Sequence, residues 1–548
     1  MAVDLSALIT ALQNPEIYPD HPERVEVVQT HVSAIFLTGR YVYKVKKPVD
    51  FGFLDFTTLE KRKFFCHREV ELNRRLCPEV YLGVVEIFSP QGRISLKGPG
   101  EVVEYAVLMK QLPRERMMDQ LLARGVLTPS ILQKIAGKIA HFHAQAATSA
   151  EIASFGGVDV IRGNAEENFS QTEKYVSRSI SPRVFDEIKE NTRRFMQEHL
   201  SLFEARIAAG RVRDCHGDLH LQHICLTDEI LIFDCIEFNQ RFRYSDVAAD
   251  IAFLLMDLDF HGYPLLSATL ASDYLALSRD WPLFELLDFY KSYRAYVRGK
   301  VVSFRLDDPA ISSLEKNSAL EEARRYFQLA HHYAMRLRQQ MLLVTCGLVG
   351  TGKSTIARAL SGTLGWELMT SDILRKELAD LSPREHRYEK FHRGIYAPEF
   401  SRKTYGALFE RAEAILKAGH PVLIDASFKK TADRQQALEL ARRTGAEFLL
   451  IECRCSEMEI QRRLARRASD EKELSDGRWE LYGDQQKDFE KVEEMEPDLH
   501  VTLNTESSVE KCLEGIFRHL LRRAGEKMEA ARCHSDEDLS GVEALPEG

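Results

Sequence analysis

The sequence of 548 residues has no uncharged apolar run as long as the roughly 18 residues that a membrane-spanning helix requires. The best candidate, residues 251–256, is bounded by Asp250 and Asp257. A basic N-terminal stretch followed by an apolar one, the pattern of a secretory signal, is also missing. These absences predict a cytoplasmic protein with no membrane partner.

Two further patterns are absent, namely CxxC pairs and an excess of basic residues. None of the 10 cysteines belongs to a CxxC pair, and several lie in apolar runs such as residues 232–236, which predicts reduced, buried thiols. The formal net charge is -9. This acidic balance disfavours a nucleic-acid partner. It does not exclude a local basic groove, because the net charge averages over all faces of the protein.

Hydrophobic periodicity divides the chain into two halves. Residues 34–46 predict a hairpin that turns at Gly39, and residues 58–76 predict a helix. Beyond residue 340, apolar strands alternate with helices, as is typical of a parallel sheet with helical crossovers. The predicted organisation is a first domain at 1–338, a second at 339–524 and a disordered tail at 525–548.

The most specific motif is Gly347-Leu348-Val349-Gly350-Thr351-Gly352-Lys353-Ser354, which follows an apolar run and precedes a helical pattern. Its glycines permit tight turns that point backbone N–H groups at phosphate oxygens. Lys353 would neutralise the β- and γ-phosphates and Ser354 would bind Mg²⁺. A chance glycine-rich turn is the alternative, and the strand–loop–helix order disfavours it. The residues predicted to bind ATP here are Gly347, Gly350, Thr351, Gly352, Lys353, Ser354 and Thr355.

Two carboxylates follow at or just after later strand-like runs. Asp425 would hold Mg²⁺ through water or activate the attacking hydroxyl, and an ordinary strand-ending Asp is the alternative. Asp372 and Arg375 lie at a helix start, where they would grip a hydroxylated or phosphorylated acceptor. Capping of the helix by Asp372 explains the pattern equally well.

Four arginines are clustered within residues 462–467. Their helical spacing predicts that Arg463 and Arg467 belong to a lid that closes over the transferring phosphoryl group. The alternative is that these arginines form a solvated helix face, which is the usual structure of a charge run. Only the phosphate loop upstream makes the lid interpretation comparably strong.

Residues 341–505 resemble the small P-loop kinases, a group with gluconate-kinase-like, polynucleotide-kinase-like and zeta-toxin-like members. The resemblance implies ATP-dependent phosphoryl transfer and does not specify the acceptor. Ala426 follows Asp425, whereas mechanical AAA+ ATPases have an acidic pair at this point. The second half is therefore predicted to be a kinase.

A second constellation lies in the first half. The segment His216-Gly217-Asp218-Leu219-His220-Leu221-Gln222-His223 precedes Ile232-Phe233-Asp234. Two carboxylates near the ends of short strands can accept a hydroxyl proton and bind Mg²⁺, respectively. Lys44 and Glu69 can form a buried pair that holds the α- and β-phosphates. The competing positions are Lys46, Lys47 and Glu71. The alternative for this motif is that His216 and His220 are structural histidines of the core or the surface, with their hydrogen bonds satisfied there.

Residues 25–300 resemble the aminoglycoside-phosphotransferase family, a branch of the protein-kinase-like fold with the motif H-G-D-x-H-x-x-N and a later Asp. The resemblance implies that Asp218 is the catalytic base, Asp234 a magnesium ligand and Lys44 the phosphate-binding lysine held by Glu69. It also implies a hinge for adenine at residues 103–109, which contain Glu104.

The chain departs from that family at His223, which stands where the pattern has Asn as a metal ligand. Imidazole binds Mg²⁺ poorly because Mg²⁺ prefers oxygen. The first site would therefore use one metal, use another ligand or be inactive. The candidate metal residues are Ser354, Asp234 and His223.

The chain as a whole resembles a bacterial family that fuses these two modules, as judged from residues 47–56 and 233–239. The predicted fold class is α/β and α+β. An N-terminal protein-kinase-like (aminoglycoside phosphotransferase) fold would precede a C-terminal P-loop NTPase with a parallel α/β sheet.

The predicted function is a two-domain phosphotransferase that uses ATP and Mg²⁺ to phosphorylate a small hydroxylated acceptor. One alternative is a non-catalytic N-terminal pseudokinase beside an active P-loop half. Another is a nucleic-acid end kinase that uses the arginines of residues 462–467. The sequence does not identify the acceptor, the preference for ATP over GTP or the oligomeric state.

Overall fold

The computed structural model of the protein describes residues 4–98, 100–382, 385, 389, 391–467 and 477–540, with side chains up to residue 532. The chain divides into two compact units. Unit 1 consists of Met1–Tyr274 and Tyr290–Ala330, and unit 2 consists of Leu275–Phe289 and His331–Gly548.

This division differs from the predicted boundary after residue 338, chiefly because Leu275–Phe289 belongs to unit 2. The reason is aromatic packing within that unit. Trp281 stacks on Phe517 with 5.4 Å between ring centroids, and Phe284 packs on the same ring at 5.0 Å. Such ring pairs contribute about 0.5–1.5 kcal/mol beyond their buried area.

Unit 1 contains a five-stranded antiparallel sheet with the order β1-β2-β3-β5-β4. Its second hairpin is the predicted one, and Gly39 at the turn has a φ of 89°. The strands are β1 (Glu26–Gln29), β2 (Ser33–Leu37), β3 (Tyr41–Lys46), β4 (Tyr81–Phe88) and β5 (Val102–Lys110). Two short antiparallel pairs, β6-β9 and β7-β8, follow and are formed by β6 (Val212–Asp214), β7 (Ile224–Leu226), β8 (Ile230–Ile232) and β9 (Tyr244–Asp246).

Helices make up most of unit 1 after the sheet. The helix α2 begins where the Thr58 side chain accepts a hydrogen bond from the Lys61 N–H, and every residue of α10 is buried. The helices up to the domain boundary are α1 (Leu5–Leu12), α2 (Leu59–Asn73), α3 (Met118–Ala123), α4 (Pro129–Gln145), α5 (Ala150–Ser154), α6 (Val158–Thr172), α7 (Pro182–Glu198), α8 (Leu200–Ala208), α9 (Gln240–Arg243), α10 (Val247–Phe260), α11 (Pro264–Ser278), α12 (Leu287–Phe304) and α13 (Ser313–Arg336).

Unit 2 contains the predicted parallel sheet, with the order β11-β12-β10-β13-β14. Its strands are β10 (Met341–Cys346), β11 (Glu367–Thr370), β12 (Val422–Asp425), β13 (Glu447–Arg454) and β14 (His500–Asn504). The three inner strands are almost continuously apolar because helices cover both faces of a parallel sheet. The helices are α14 (Lys353–Leu364), α15 (Ser371–Glu377), α16 (Pro398–Lys417), α17 (Thr431–Thr444), α18 (Glu457–Arg467), α19 (Tyr482–Asp488) and α20 (Val509–Ser540).

The tail predicted to be disordered from residue 525 begins inside α20, which continues to Ser540. Packing explains the difference, since Met528 is 9% exposed and Lys527 pairs with Glu447 at 2.6 Å. Residues 541–548 of that predicted tail lie outside the described residues. Among the described helices, none is both long and apolar enough to cross a membrane.

Arg434 of α17 is a fully buried charged side chain in unit 2. It pairs with Glu494, and its guanidinium also donates to the carbonyl oxygens of Phe428 at 3.0 Å, Glu490 at 3.0 Å and Lys491 at 3.1 Å. These bonds tie the segment 490–494 to the loop after β12. One buried guanidinium thus supplies donors to a carboxylate and three carbonyl oxygens.

Replacing Arg434 by Met is expected to lower the free energy of unfolding of unit 2 by about 3 kcal/mol or more, because a buried ion pair loses one partner. The control is Arg443→Met on the same helix, whose exposed pair with Glu413 predicts a loss below about 1 kcal/mol. All three tryptophans, at 281, 366 and 479, belong to unit 2, so urea unfolding followed by tryptophan fluorescence reports this unit. Equal losses in the two variants would contradict the assignment.

Candidate active sites

The first candidate site is built around Glu69 of α2, which has no exposed side-chain surface. Its two oxygens contact two ammonium groups, that of Lys44 at 2.9 Å and that of Lys46 at 2.7 Å. Both lysines lie on β3 two residues apart, so the strand presents them on one face. Lys44 also contacts Asp234 at 2.6 Å, and Lys46 contacts Glu237.

Of the positions that compete with Lys44 and Glu69, Lys47 and Glu71 are directed away from this site, whereas Lys46 is part of it. Lys44 and Lys46 both reach Glu69, whereas Lys47 points away and donates to the Thr30 carbonyl oxygen at 2.7 Å. Glu71 is exposed and pairs with Arg68 of its own helix. Burial alone would lower the pKa of Lys44, but Asp234 and Glu69 raise it well above its usual value. Lys44 is therefore a stable cation at the edge of the site.

The loop of residues 216–223 is held by Asp250 of α10. One carboxylate oxygen accepts from the His216 N–H at 3.0 Å, and the other accepts from the Gly217 N–H at 2.8 Å. Gly217 has a φ of 86°, and a Cβ there would lie 2.9 Å from the Phe242 carbonyl oxygen. Glycine is thus required in this turn. Asp250 was not among the predicted site residues.

Three of the predicted residues meet at the end of this loop. The Asp218 and Asp234 carboxylates lie on opposite sides of His223, whose Nδ1 is 3.5 Å from Asp218 Oδ2 and whose Nε2 is 3.5 Å from Asp234 Oδ2. Asp234 lies just after β8 instead of on it, and its φ of 62° turns the chain there. The predicted pair of carboxylates is therefore brought together.

The electrostatics keep both carboxylates ionised. Burial raises the pKa of Asp218, but His220 and His223 outweigh burial and hold that pKa well below its usual range. Burial also raises the pKa of Asp234, but the nearby Lys44 ammonium outweighs burial and lowers this pKa. Burial lowers the pKa of His223 to about 4, so its imidazole is neutral at pH 7. A negative Asp218 can accept the proton of an acceptor hydroxyl.

These residues fit a bound Mg²⁺ only in part. The Asp234 carboxylate supplies the oxygen ligand that Mg²⁺ prefers, whereas His223 supplies a nitrogen. Glu104, predicted to lie at an adenine hinge, is instead buried in β5 and forms an ion pair with Arg62 at 2.8 Å. The Glu104 side chain is bound to Arg62 of α2, because a buried carboxylate requires a cation.

The second candidate site is the loop between β10 and α14, which has the predicted strand–loop–helix order. Gly347 has a φ of 139°, and a Cβ there would lie 2.5 Å from the Cys453 carbonyl oxygen. Thr351 closes the loop by donating to the Leu348 carbonyl oxygen at 2.8 Å, and Lys353 donates to the same oxygen at 2.8 Å. The ammonium group of Lys353 thus lies over the loop that would receive phosphates.

A cavity of about 380 Å³ opens beside this loop. It is lined by most of the residues predicted for phosphoryl transfer, whereas Thr355 is exposed in the first turn of α14. Asp425 ends β12 with 4% exposure and accepts from the Thr345 hydroxyl at 2.9 Å. The predicted residues that line the cavity are Gly350, Gly352, Lys353, Ser354, Asp372, Asp425 and Arg467.

This cavity offers oxygen ligands that fit Mg²⁺, namely the Ser354 hydroxyl and the Asp425 carboxylate. It also contains groups that the sequence analysis did not select. Lys429 and Lys430 both contact Asp488, at 2.5 Å and 2.9 Å, and these residues line the cavity. No sequence motif marks these three residues, so they could not be selected from the sequence.

The predicted lid arginines have different surroundings. Arg467 lines the cavity. Arg463 does not, because its guanidinium donates to the Thr505 carbonyl oxygen at 2.6 Å and to Glu459 at 2.7 Å. One of its terminal nitrogens lies 3.1 Å from where a Cβ on Gly352 would be. Arg463 therefore contacts the phosphate loop and does not line the cavity, so its role in a lid stays a prediction. Residues 468–476, which continue the segment, lie outside the described residues.

Comparisons with known proteins match each half. A profile of the phosphotransferase enzyme family matches residues 64–287, and a profile described as an AAA domain matches residues 342–492. Uncharacterized proteins of Mycobacterium tuberculosis and Mycobacterium bovis are each 31% identical over 433 residues, which cover 79% of this chain and 84% of the relative. The chain belongs to this bacterial family, which fuses a phosphotransferase domain to a P-loop kinase-like domain. Membership confirms the predicted fusion and fold class.

Solved structures with similarity to this family member include three kinases. A gluconokinase of Sinorhizobium meliloti is 18% identical with a TM-score of 0.25, over 34% of this chain and 95% of its own. A choline/ethanolamine kinase family protein of Mesorhizobium loti is 11% identical with a TM-score of 0.35, and the match covers 60% of this chain and 99% of that protein. The APS kinase of Mycobacterium tuberculosis is 19% identical with a TM-score of 0.24, and the match covers 33% of this chain and 98% of that protein.

The lowered pKa of His223 predicts how the stability of unit 1 depends on pH. A histidine that is buried in its neutral form destabilises the folded state on acidification. The unfolded chain takes up the proton near pH 6.5, whereas the folded chain takes it up only near pH 4. Stability is therefore expected to fall by about 2 kcal/mol between pH 7 and pH 5 on account of this residue.

His223→Asn is expected to remove that part of the decrease, whereas the exposed His31→Asn should keep the wild-type dependence. The measurement is urea unfolding at both pH values by far-UV circular dichroism, using the transition that tryptophan fluorescence does not report. An unchanged pH dependence in His223→Asn would refute the assignment.

Proposed function

We propose that the protein is an ATP-dependent phosphotransferase with one catalytic centre in each unit. Each centre would move the γ-phosphoryl group of ATP to the hydroxyl of a small-molecule acceptor. The observation that carries the proposal is the cavity of unit 2, whose lining includes Lys353, Ser354, Asp372 and Asp425. The domain matches support a phosphotransferase in both halves.

In unit 2, the backbone N–H groups of residues 347–352 and the positive end of α14 would receive the phosphates. Lys353 would leave the Leu348 carbonyl oxygen and bind the β- and γ-phosphates. The oxygens of Ser354 and Asp425 would hold Mg²⁺, which when bound neutralises charge on the phosphates. As the acceptor oxygen bonds to phosphorus and the bond to ADP breaks, a cavity carboxylate would take the hydroxyl proton, and we assign this role to Asp372, which lines the cavity.

The acceptor of unit 2 is proposed to carry negative charge or several hydroxyl groups. Arg375 lines the cavity with 6% exposure and donates to the Ile395 carbonyl oxygen at 2.8 Å and to the Ser401 hydroxyl at 3.2 Å. Its Nε has no hydrogen-bond partner among the described residues. An arginine in the lining favours an oxygen-rich acceptor, because a guanidinium group binds carboxylate and phosphate oxygens well.

In unit 1, Lys44 held by Glu69 would bind the α- and β-phosphates, and Asp218 would take the proton of the acceptor hydroxyl. Asp234 would provide the carboxylate ligand of the metal. His223 favours a second candidate function, in which unit 1 binds its ligand without catalysis and only unit 2 transfers phosphate. That possibility follows from the poor affinity of imidazole for Mg²⁺.

Labelled products distinguish the two candidates. The full chain and its variants would be incubated with γ-labelled ATP and a bacterial metabolite extract, and products would be identified by mass spectrometry. We expect Lys353→Ala to lower one product by about a hundredfold or more, because a phosphate-stabilising cation is lost. We expect Asp218→Asn to lower a different product.

The controls are the exposed Lys511→Ala and Asp228→Asn, which should leave both products unchanged. Loss of products in Lys353→Ala alone would favour the second candidate. If neither Lys353→Ala nor Asp218→Asn changes any product, the proposed function is wrong.

A further inference from the structure

His223 and Asp234 form a corner of the unit 1 site in which a nitrogen and an oxygen atom face each other. His223 Nε2 and Asp234 Oδ2 face each other at 3.5 Å. The imidazole stands where the related phosphotransferase motif has an amide oxygen. This substitution changes which cation the corner can hold, because nitrogen and oxygen ligands select different metal ions.

The hydrogen bonds of His223 determine which of its nitrogens is available. Nδ1 lies 2.8 Å from the Asp218 backbone carbonyl oxygen, which can only accept, so Nδ1 carries the proton. The neutral ring then presents Nε2 as a bare lone pair. Metal-binding histidines are commonly oriented in this way, with the other ring nitrogen bonded to a carbonyl or carboxylate.

The hydrogen bonds of Asp234 leave a matching oxygen. Its Oδ1 accepts from Lys44 at 2.6 Å, whereas Oδ2 points toward the lone pair of His223. Two acceptors facing each other at this distance attract a cation between them. Both atoms would be within reach of one ion, since bonds from nitrogen and oxygen ligands to such metals are about 2.0–2.2 Å long.

Further ligand atoms lie close by. Asp218, His220 and His223 each offer one ligand atom, and these atoms lie within 4.8 Å of one another. His220 is 6% exposed, and its Nε2 is 3.4 Å from Asp218 Oδ2. These two imidazoles and one carboxylate, with Asp234 on the other side of His223, include nitrogen donors that suit first-row transition metals, whereas Mg²⁺ prefers oxygen ligands.

We propose that the centre of unit 1 binds a first-row transition-metal ion in preference to Mg²⁺, with His223 Nε2 and Asp234 Oδ2 as protein ligands. Nucleotide phosphates would complete the coordination, so the inference rests on the proposed function of unit 1. The two units would then differ in metal requirement, because the unit 2 pair of Ser354 and Asp425 supplies oxygen only.

The test uses Mn²⁺ and ADP with the full chain carrying Lys353→Ala and Ser354→Ala, which silence the phosphate loop of unit 2. Electron spin-echo modulation of bound Mn²⁺ detects a directly coordinated imidazole nitrogen. We expect this nitrogen signal in the silenced chain and in its exposed control, His31→Asn. We expect its loss in His223→Asn.

Mg²⁺ competition gives a second readout. His223→Asn is expected to lower the Mn²⁺ affinity relative to Mg²⁺ by about tenfold or more, since even the loss of an outer hydrogen-bond partner of a metal ligand costs that much. Asp234→Asn, which keeps the imidazole, should weaken Mn²⁺ binding as well. The thermal melting of each variant shows that it is folded.

The outcomes separate the inference from the proposed function. If ADP binds but Mn²⁺ shows no nitrogen coupling, or if the coupling persists in folded His223→Asn, the metal inference is wrong and the nucleotide site stands. Equal affinity for Mg²⁺ and Mn²⁺ in both forms also overturns it. If ADP does not bind to the silenced chain at all, the proposed centre in unit 1 is wrong, and the inference falls with it.

Discussion

The site of unit 1 depends on one buried carboxylate, that of Glu69, which has no contact with water. An isolated charge in such a position is too costly to keep, so it must be neutralised by cations. Lys44 and Lys46 fulfil this need from adjacent positions on the same face of β3. The ion pairs fix α2 against the sheet, and they place the Lys44 ammonium where it also reaches Asp234.

Unit 2 meets the same electrostatic requirement with backbone and loop geometry. Parallel strands end at one edge of the sheet, so Asp425 at the end of β12 comes beside the loop that follows β10. The glycines of that loop allow it to pass close to the Cys453 carbonyl oxygen, and Arg463 supports it from the other side. The result is a cavity beside the phosphate loop that is lined by both cations and carboxylates.

Much of this arrangement could be predicted from sequence because it is encoded locally. The phosphate loop, the hairpin that carries Lys44 and the ends of β12 each have short-range signals, and the pairing of Asp218 with Asp234 follows from a short spacing. The contacts of Glu104 and Arg463 could not be predicted because their partners, Arg62 and Thr505, lie 42 residues away in sequence in each case. Asp250 had one visible signal, an acidic residue at the edge of an apolar run. Its role emerges only when the fold brings it to the Gly217 N–H, 33 residues away.

The central claim is that each chain has two nucleotide-binding centres, and the number of bound nucleotides tests it most directly. The full chain would be titrated with a non-hydrolysable ATP analogue by equilibrium dialysis, with both Mg²⁺ and Mn²⁺ present. The account predicts two equivalents of analogue per chain at saturation. A stoichiometry of one would contradict it.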